Sequence, residues 1–104
     1  MERWIINMKL WYTVAYDVSS DKARRKIEKI CSTYMQRVQY SVFEAYLSEA
    51  NFKSFYQKIK MECSGEKWDS QTDSVLIYKH CASCYAERIC IGKKNAFSKN
   101  YFIL

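Results

Sequence analysis

The nine residues Lys9–Asp17 constrain the fold more than any other stretch of the chain. Leu10, Tyr12, Val14 and Tyr16 alternate with Trp11, Thr13 and Ala15, so both faces of an extended segment are largely apolar. A strand of that kind must be covered on both sides, which makes it a central strand. Immediately after it the period changes. Ser19, Ser20 and Asp21 offer helix-capping chemistry, and from Ala23 the apolar positions Ile27, Ile30, Cys31 and Tyr34 recur every three or four residues. A strand that runs straight into a helix is therefore the first unit.

The pattern then repeats. Residues 36–48 return to a period of two, with Val38, Tyr40, Val42 and Tyr46 on one face and Gln39, Ser41, Phe43, Ala45 and Leu47 on the other; this segment reads as one long strand able to serve as two. Residues 49–63 place Phe52, Phe55, Tyr56, Ile59 and Cys63 on one helical stripe opposite lysines. Ser64-Gly65 ends that helix, and after a polar stretch residues 73–78 form a third apolar run. Residues 88–91, closed by Gly92, read as a further strand, and Tyr101-Phe102-Ile103-Leu104 as a terminal one with no place in a monomer. The best architecture is α+β, a ferredoxin-like βαββαβ sandwich with two helices on one face of an antiparallel sheet. An apolar terminal strand beyond the polar residues 93–100 finds its natural partner at a second subunit's sheet edge.

Length and composition narrow the classes. At 104 residues the chain supports one domain, and a core this small gains much from a second subunit. With 49% hydrophobic residues it is too apolar for a disordered chain, yet no apolar run approaches the roughly 18 residues of a membrane span. The first residues lack the apolar region of a secretory signal, so a cytoplasmic location is expected, with reduced thiols at Cys31, Cys63, Cys81, Cys84 and Cys90. A net charge of +6 suggests a polyanion partner without saying which.

Asp17 is the strongest candidate for chemistry. A carboxylate at the end of an apolar strand, beside a helix start, is well placed to bind a hard cation; the same position also suits a capping or turn residue. Between Asp21 and Lys29, five positive charges (Lys22, Arg24, Arg25, Lys26 and Lys29) face only Asp21 and Glu28. That density can clamp phosphates or be a solvated helix face. Arg88, Lys93, Lys94 and Lys99 add charge toward the C-terminus. Cys81-Ala82-Ser83-Cys84 has the spacing of half a zinc site, with His80 and Cys90 nearby, but a second such pair is missing and zinc is not the favoured reading.

Two motifs at their mutual spacing carry a resemblance. Tyr16-Asp17-Val18-Ser19-Ser20-Asp21-Lys22-Ala23-Arg24-Arg25-Lys26, followed by Gln36-Arg37-Val38-Gln39-Tyr40-Ser41-Val42-Phe43-Glu44, closely resembles the CRISPR-associated endoribonuclease two family, the small subunit of the spacer-acquisition machinery. The resemblance runs from Met8 to about Gly92, leaving residues 1–7 as a peripheral extension and 93–104 as a C-terminal segment. It implies a ferredoxin-like homodimer whose C-terminal strands are exchanged. It also implies that two copies of Asp17 face each other with a divalent metal, usually magnesium, between them. The family's further functional positions match Arg24, Lys26, Arg37 and Phe43, beside the basic Arg25; Lys26 stands where arginine often occurs, replacing a fork by a point charge. The implied partners are an integrase subunit and duplex DNA or single-stranded RNA. Three activities remain open: metal-dependent endonuclease, catalytically silent scaffold that bridges integrase dimers and holds prespacer DNA, and toxin-like ribonuclease of the same fold.

Overall fold

The computed structural model describes residues 9–89 and Ile91. Strand β1 spans Lys9–Asp17 and helix α1 spans Asp21–Tyr34; β2 (Gln36–Gln39) and β3 (Val42–Ser48) follow, then α2 (Glu49–Glu62), β4 (Ser74–His80) and a short α3 (Ala82–Ala86). The strands lie in the order β2-β3-β1-β4, and every neighbouring pair is antiparallel. This is the ferredoxin-like arrangement, in which each helix carries the chain past one intervening strand.

Both large helices begin the same way. Ser20 Oγ accepts the Ala23 N–H at 3.2 Å, and Ser48 Oγ accepts the Asn51 N–H at 3.2 Å. Each cap satisfies one of the amides a helix start leaves open, contributing about 1 kcal/mol. Both helices pack on one face of the sheet. From that face Tyr12, Val14, Tyr16, Phe43, Ala45 and Leu47 meet Ala23, Ile27 and Cys31 of α1 and Phe55 and Ile59 of α2. Val14 sits between Phe43 and Ile77 in register and has no exposed surface.

The single run expected over residues 36–48 is two strands joined at Tyr40-Ser41, with a register shift between Arg37 and Gln39. β4 continues to His80 because Lys79 and His80 pair with Tyr12 and Trp11. The strand expected over 88–91 is not formed at Arg88, Ile89 or Ile91. The reason lies upstream: α3 turns the chain across the sheet face opposite α1 and α2, where Tyr85 stacks on Trp11 and its hydroxyl donates to Glu44. Residues 1–8, Cys90, Gly92 and 93–104, including the strand expected over 101–104, lie outside the described residues.

Candidate nucleic-acid and metal site

Asp17 ends β1 and lies in register with Ser74. By the alternation of the strand it shares the face opposite α1 and α2 with Trp11, Thr13 and Ala15. The backbone around it is held from three directions. Tyr16 N–H donates to Ser41 O at 3.1 Å, Ser19 N–H donates to Asp73 Oδ1 at 2.9 Å, and Arg24 Nη1 donates to Val18 O at 3.4 Å. The carboxylate itself is exposed, and among the described residues none forms a hydrogen bond or ion pair with it.

Asp73 was legible in the sequence only as the start of a strand. It accepts from Ser19 N–H and Ser19 Oγ at 2.9 Å each, from Asp69 N–H at 2.9 Å and from Thr72 Oγ1 at 3.2 Å. The amides of Asp69 and Ser19 hold its carboxyl below the usual carboxylate range. With its oxygens so engaged, Asp73 ties the turn after β1 to the loop before β4. It is a brace for Asp17, not a second metal ligand.

The expected nucleic-acid residues divide into two sets. Arg25 and Lys26 are exposed on α1 with Lys22 and Lys29. Lys22 and Lys26 also border a hollow shared with Lys67, Glu62 and Glu66 near the end of α2. Arg24 is partly committed: it pairs with Asp21 and reaches Val18 O, and that bond to Asp21 raises its pKa. Arg37 pairs with Glu28 of α1, donates to Tyr40 O, and lies 5.0 Å from the Phe43 ring centroid. Phe43 is 1% exposed and packs near Tyr16, with ring centroids 6.2 Å apart. Its side chain is core rather than a stacking platform, and Arg37 clips the β2–β3 hairpin to α1 while still exposing part of its guanidinium.

The face opposite α1 and α2 holds a polar group that the sequence did not announce. Glu44 is buried, accepts the Tyr85 hydroxyl and lies 3.6 Å from Arg88 Nη2. Burial, then the bond to Glu44, pushes the Tyr85 hydroxyl far above its ordinary pKa. Thr13 Oγ1 and His80 Nε2 are 3.0 Å apart. On this face Tyr46, Leu76 and Tyr78 remain about half exposed. Asp17 therefore sits at one end of an apolar face that the described residues cover only in part.

A sequence profile of the CRISPR associated protein Cas2 family matches residues 8–88. The chain belongs to this family. The CRISPR-associated endoribonuclease Cas2 4 of Rhodospirillum rubrum is 35% identical over 81 residues, covering 78% of this chain but only 61% of that protein. The CRISPR-associated endoribonuclease Cas2 1 of Chloroflexus aurantiacus is 36% identical over 83 residues, covering 80% of this chain and 85% of that protein. Among solved structures, Streptococcus pyogenes Cas2 at pH 6.5 superposes with a TM-score of 0.62 at 29% identity, covering 79% of this chain and 99% of that one. A hypothetical protein of Thermus thermophilus superposes with a TM-score of 0.57 at 34% identity, covering 67% and 79%. Within this Cas2 fold the described residues contain no group of three His, Cys, Asp or Glu able to enclose a metal, and no helix long and apolar enough to cross a membrane.

One exposed carboxylate nevertheless fits a hard divalent ion. Magnesium commonly keeps several waters and takes only one or two protein carboxylates, with substrate phosphates completing its shell. Asp17 has the right donor, no competing partner among the described residues and a fixed backbone.

Proposed function

We propose that this Cas2 protein acts in CRISPR spacer acquisition as a homodimer that binds nucleic acid and hydrolyses phosphodiester bonds at paired Asp17 carboxylates. The observation that carries the reading is the placement of Asp17. It is braced, unpaired among the described residues and on the same face as the exposed Leu76 and Tyr78, the face on which this reading seats a second copy with its own Asp17. The endoribonuclease names of the relatives support the reaction class.

In this reading the Asp17 carboxylates would hold a magnesium ion, which would supply an activated water and neutralise charge on the phosphate oxygens. Arg25, Lys26, Lys22 and Lys29 attract the phosphate backbone, so affinity falls steeply with salt. Arg24 and Arg37 keep the Asp17 turn and the adjoining hairpin in place. Binding partners are an integrase subunit and duplex DNA or single-stranded RNA.

A second reading, a scaffold that holds prespacer DNA between integrase dimers without cutting it, is favoured by the lack, among the described residues, of any group of three His, Cys, Asp or Glu able to hold a metal. One experiment separates the two. Purified protein and Asp17→Ala are compared on RNA and duplex DNA with magnesium, and in spacer integration with the integrase subunit. The nuclease reading expects cleavage to vanish in the variant while dimer mass and salt-dependent binding persist. Cleavage absent from both proteins, with integration intact in both, establishes the scaffold instead.

A further inference from the structure

The C-x-x-C pair lies outside the Asp17 site, and its geometry gives it a chemistry of its own. Cys81 follows β4 directly and caps α3, with the backbone N–H of Cys84 donating to Cys81 Sγ at 3.4 Å. Ser83 Oγ lies 3.3 Å from the same sulfur. The N-cap residue and the residue three positions on lie within one helical turn of each other, and both Cys81 and Cys84 are exposed. Residues bridged by a disulfide have Cα atoms about 4.4–6.8 Å apart, a range that one turn satisfies.

The structure assigns Cys81 and Cys84 as a reversible thiol–disulfide couple, with Cys81 as the attacking and Cys84 as the resolving sulfur, that exchanges with small organic disulfides.

The electron balance is that of ordinary exchange. The Cys81 thiolate attacks one sulfur of an external disulfide, forming a mixed disulfide and releasing one thiolate, which takes up a proton. Cys84 then loses its proton and attacks Cys81 Sγ, expelling the second external thiol. The protein dithiol is oxidised by two electrons and one small disulfide is reduced to two thiols.

The other thiols set the contrast. Hydrogen bonds from Ser83 and then from Cys84 lower the Cys81 thiol to about 7, whereas Cys84 is raised by its bond to Cys81. Burial lifts Cys31 to about 12 and raises Cys63 as well. The attacking sulfur is thus the one best supplied with thiolate at neutral pH. Its position also matters: the bond would close at the junction of β4 and α3, with Cys81 four residues from the Tyr85 ring stacked on Trp11.

The test uses the full chain, reduced and desalted, then exposed to glutathione disulfide at pH 7.5, with alkylation and peptide mapping by mass spectrometry. The expected result is a peptide that has lost two hydrogens by linking Cys81 to Cys84 and regains them with dithiothreitol. Cys84→Ser should instead accumulate glutathione on Cys81, about tenfold or more faster than on Cys63. Cys81→Ser should react at Cys84 several-fold more slowly than the parent protein reacts at Cys81. The assignment is overturned if Cys81 in Cys84→Ser reacts no faster than Cys63, or if the parent keeps a stable glutathione adduct on Cys81 without forming the internal bond.

Discussion

The two faces of β1 have opposite characters although they alternate residue by residue. On the helix-covered face Tyr12, Val14 and Tyr16 are buried under α1 and α2 with apolar neighbours throughout. On the other face Trp11 is covered by Tyr85, Glu44 is buried with hydrogen-bonded company, and Tyr46, Leu76 and Tyr78 stay about half exposed up to the end where Asp17 stands. The first face is finished within one chain. The second is covered in part by α3 and, among the described residues, otherwise open, and Asp17 lies there. A single strand can therefore build the core with one set of side chains and present an exposed carboxylate with the other.

Substitutions on the two faces should separate these roles. The largest loss of stability belongs to the covered face: Phe55→Ala, which empties a fully buried ring site against Tyr34 and Phe52, should cost about 3–5 kcal/mol in urea or thermal unfolding. On the open face Tyr85→Phe keeps the stack on Trp11 but strands Glu44 without its hydroxyl donor, a loss of about 1–2 kcal/mol by the same measurement. A cost as large as that of Phe55→Ala would show that both faces are structural to the same degree.

Asp73→Asn tests the brace beneath Asp17 through its pH dependence. The folded carboxyl has a lowered pKa, so its contribution is complete above the unfolded value of about 4 and is lost as pH falls through the folded value. The variant should have a lower Tm at pH 7 and a shallower further decline toward pH 3 than the parent. Smallest in its effect on the subunit is Leu76→Glu on the exposed side of the edge strand β4, expected within about 0.5 kcal/mol of the parent yet shifting the molecular mass in sedimentation from dimer to monomer. An unchanged dimer would move the interface off this face.

How much of this was visible in the sequence follows the same division. Lys9–Asp17 was read at both ends because both of its faces are apolar and Ser19-Ser20-Asp21 marks the change of period. The turn at Tyr40-Ser41 was not, since residues 36–48 alternate without a Gly, Pro or Asn to punctuate them. The short helix Ala82–Ala86 was hidden for another reason: five residues carry no periodic signal, and what positions them is the long-range contact of Tyr85 with Trp11 and Glu44. Asp17 and the basic stripe on α1 were legible as residue types at sensible places. That Phe43 serves the core, that Arg37 spends itself on Glu28 and Tyr40, and that Asp73 braces the turn required the fold, because each depends on a partner distant in sequence or on another element.

The central claim is that two Asp17 carboxylates from two chains make one site on the open face. Its most direct test is magnesium-dependent cleavage by dimers reassembled from parent and Asp17→Ala chains in varied proportion. If both carboxylates are required, activity follows the square of the parent fraction, falling to about a quarter in an equal mixture. Activity that falls only in proportion, to about half, would contradict a shared site and place complete chemistry in each chain.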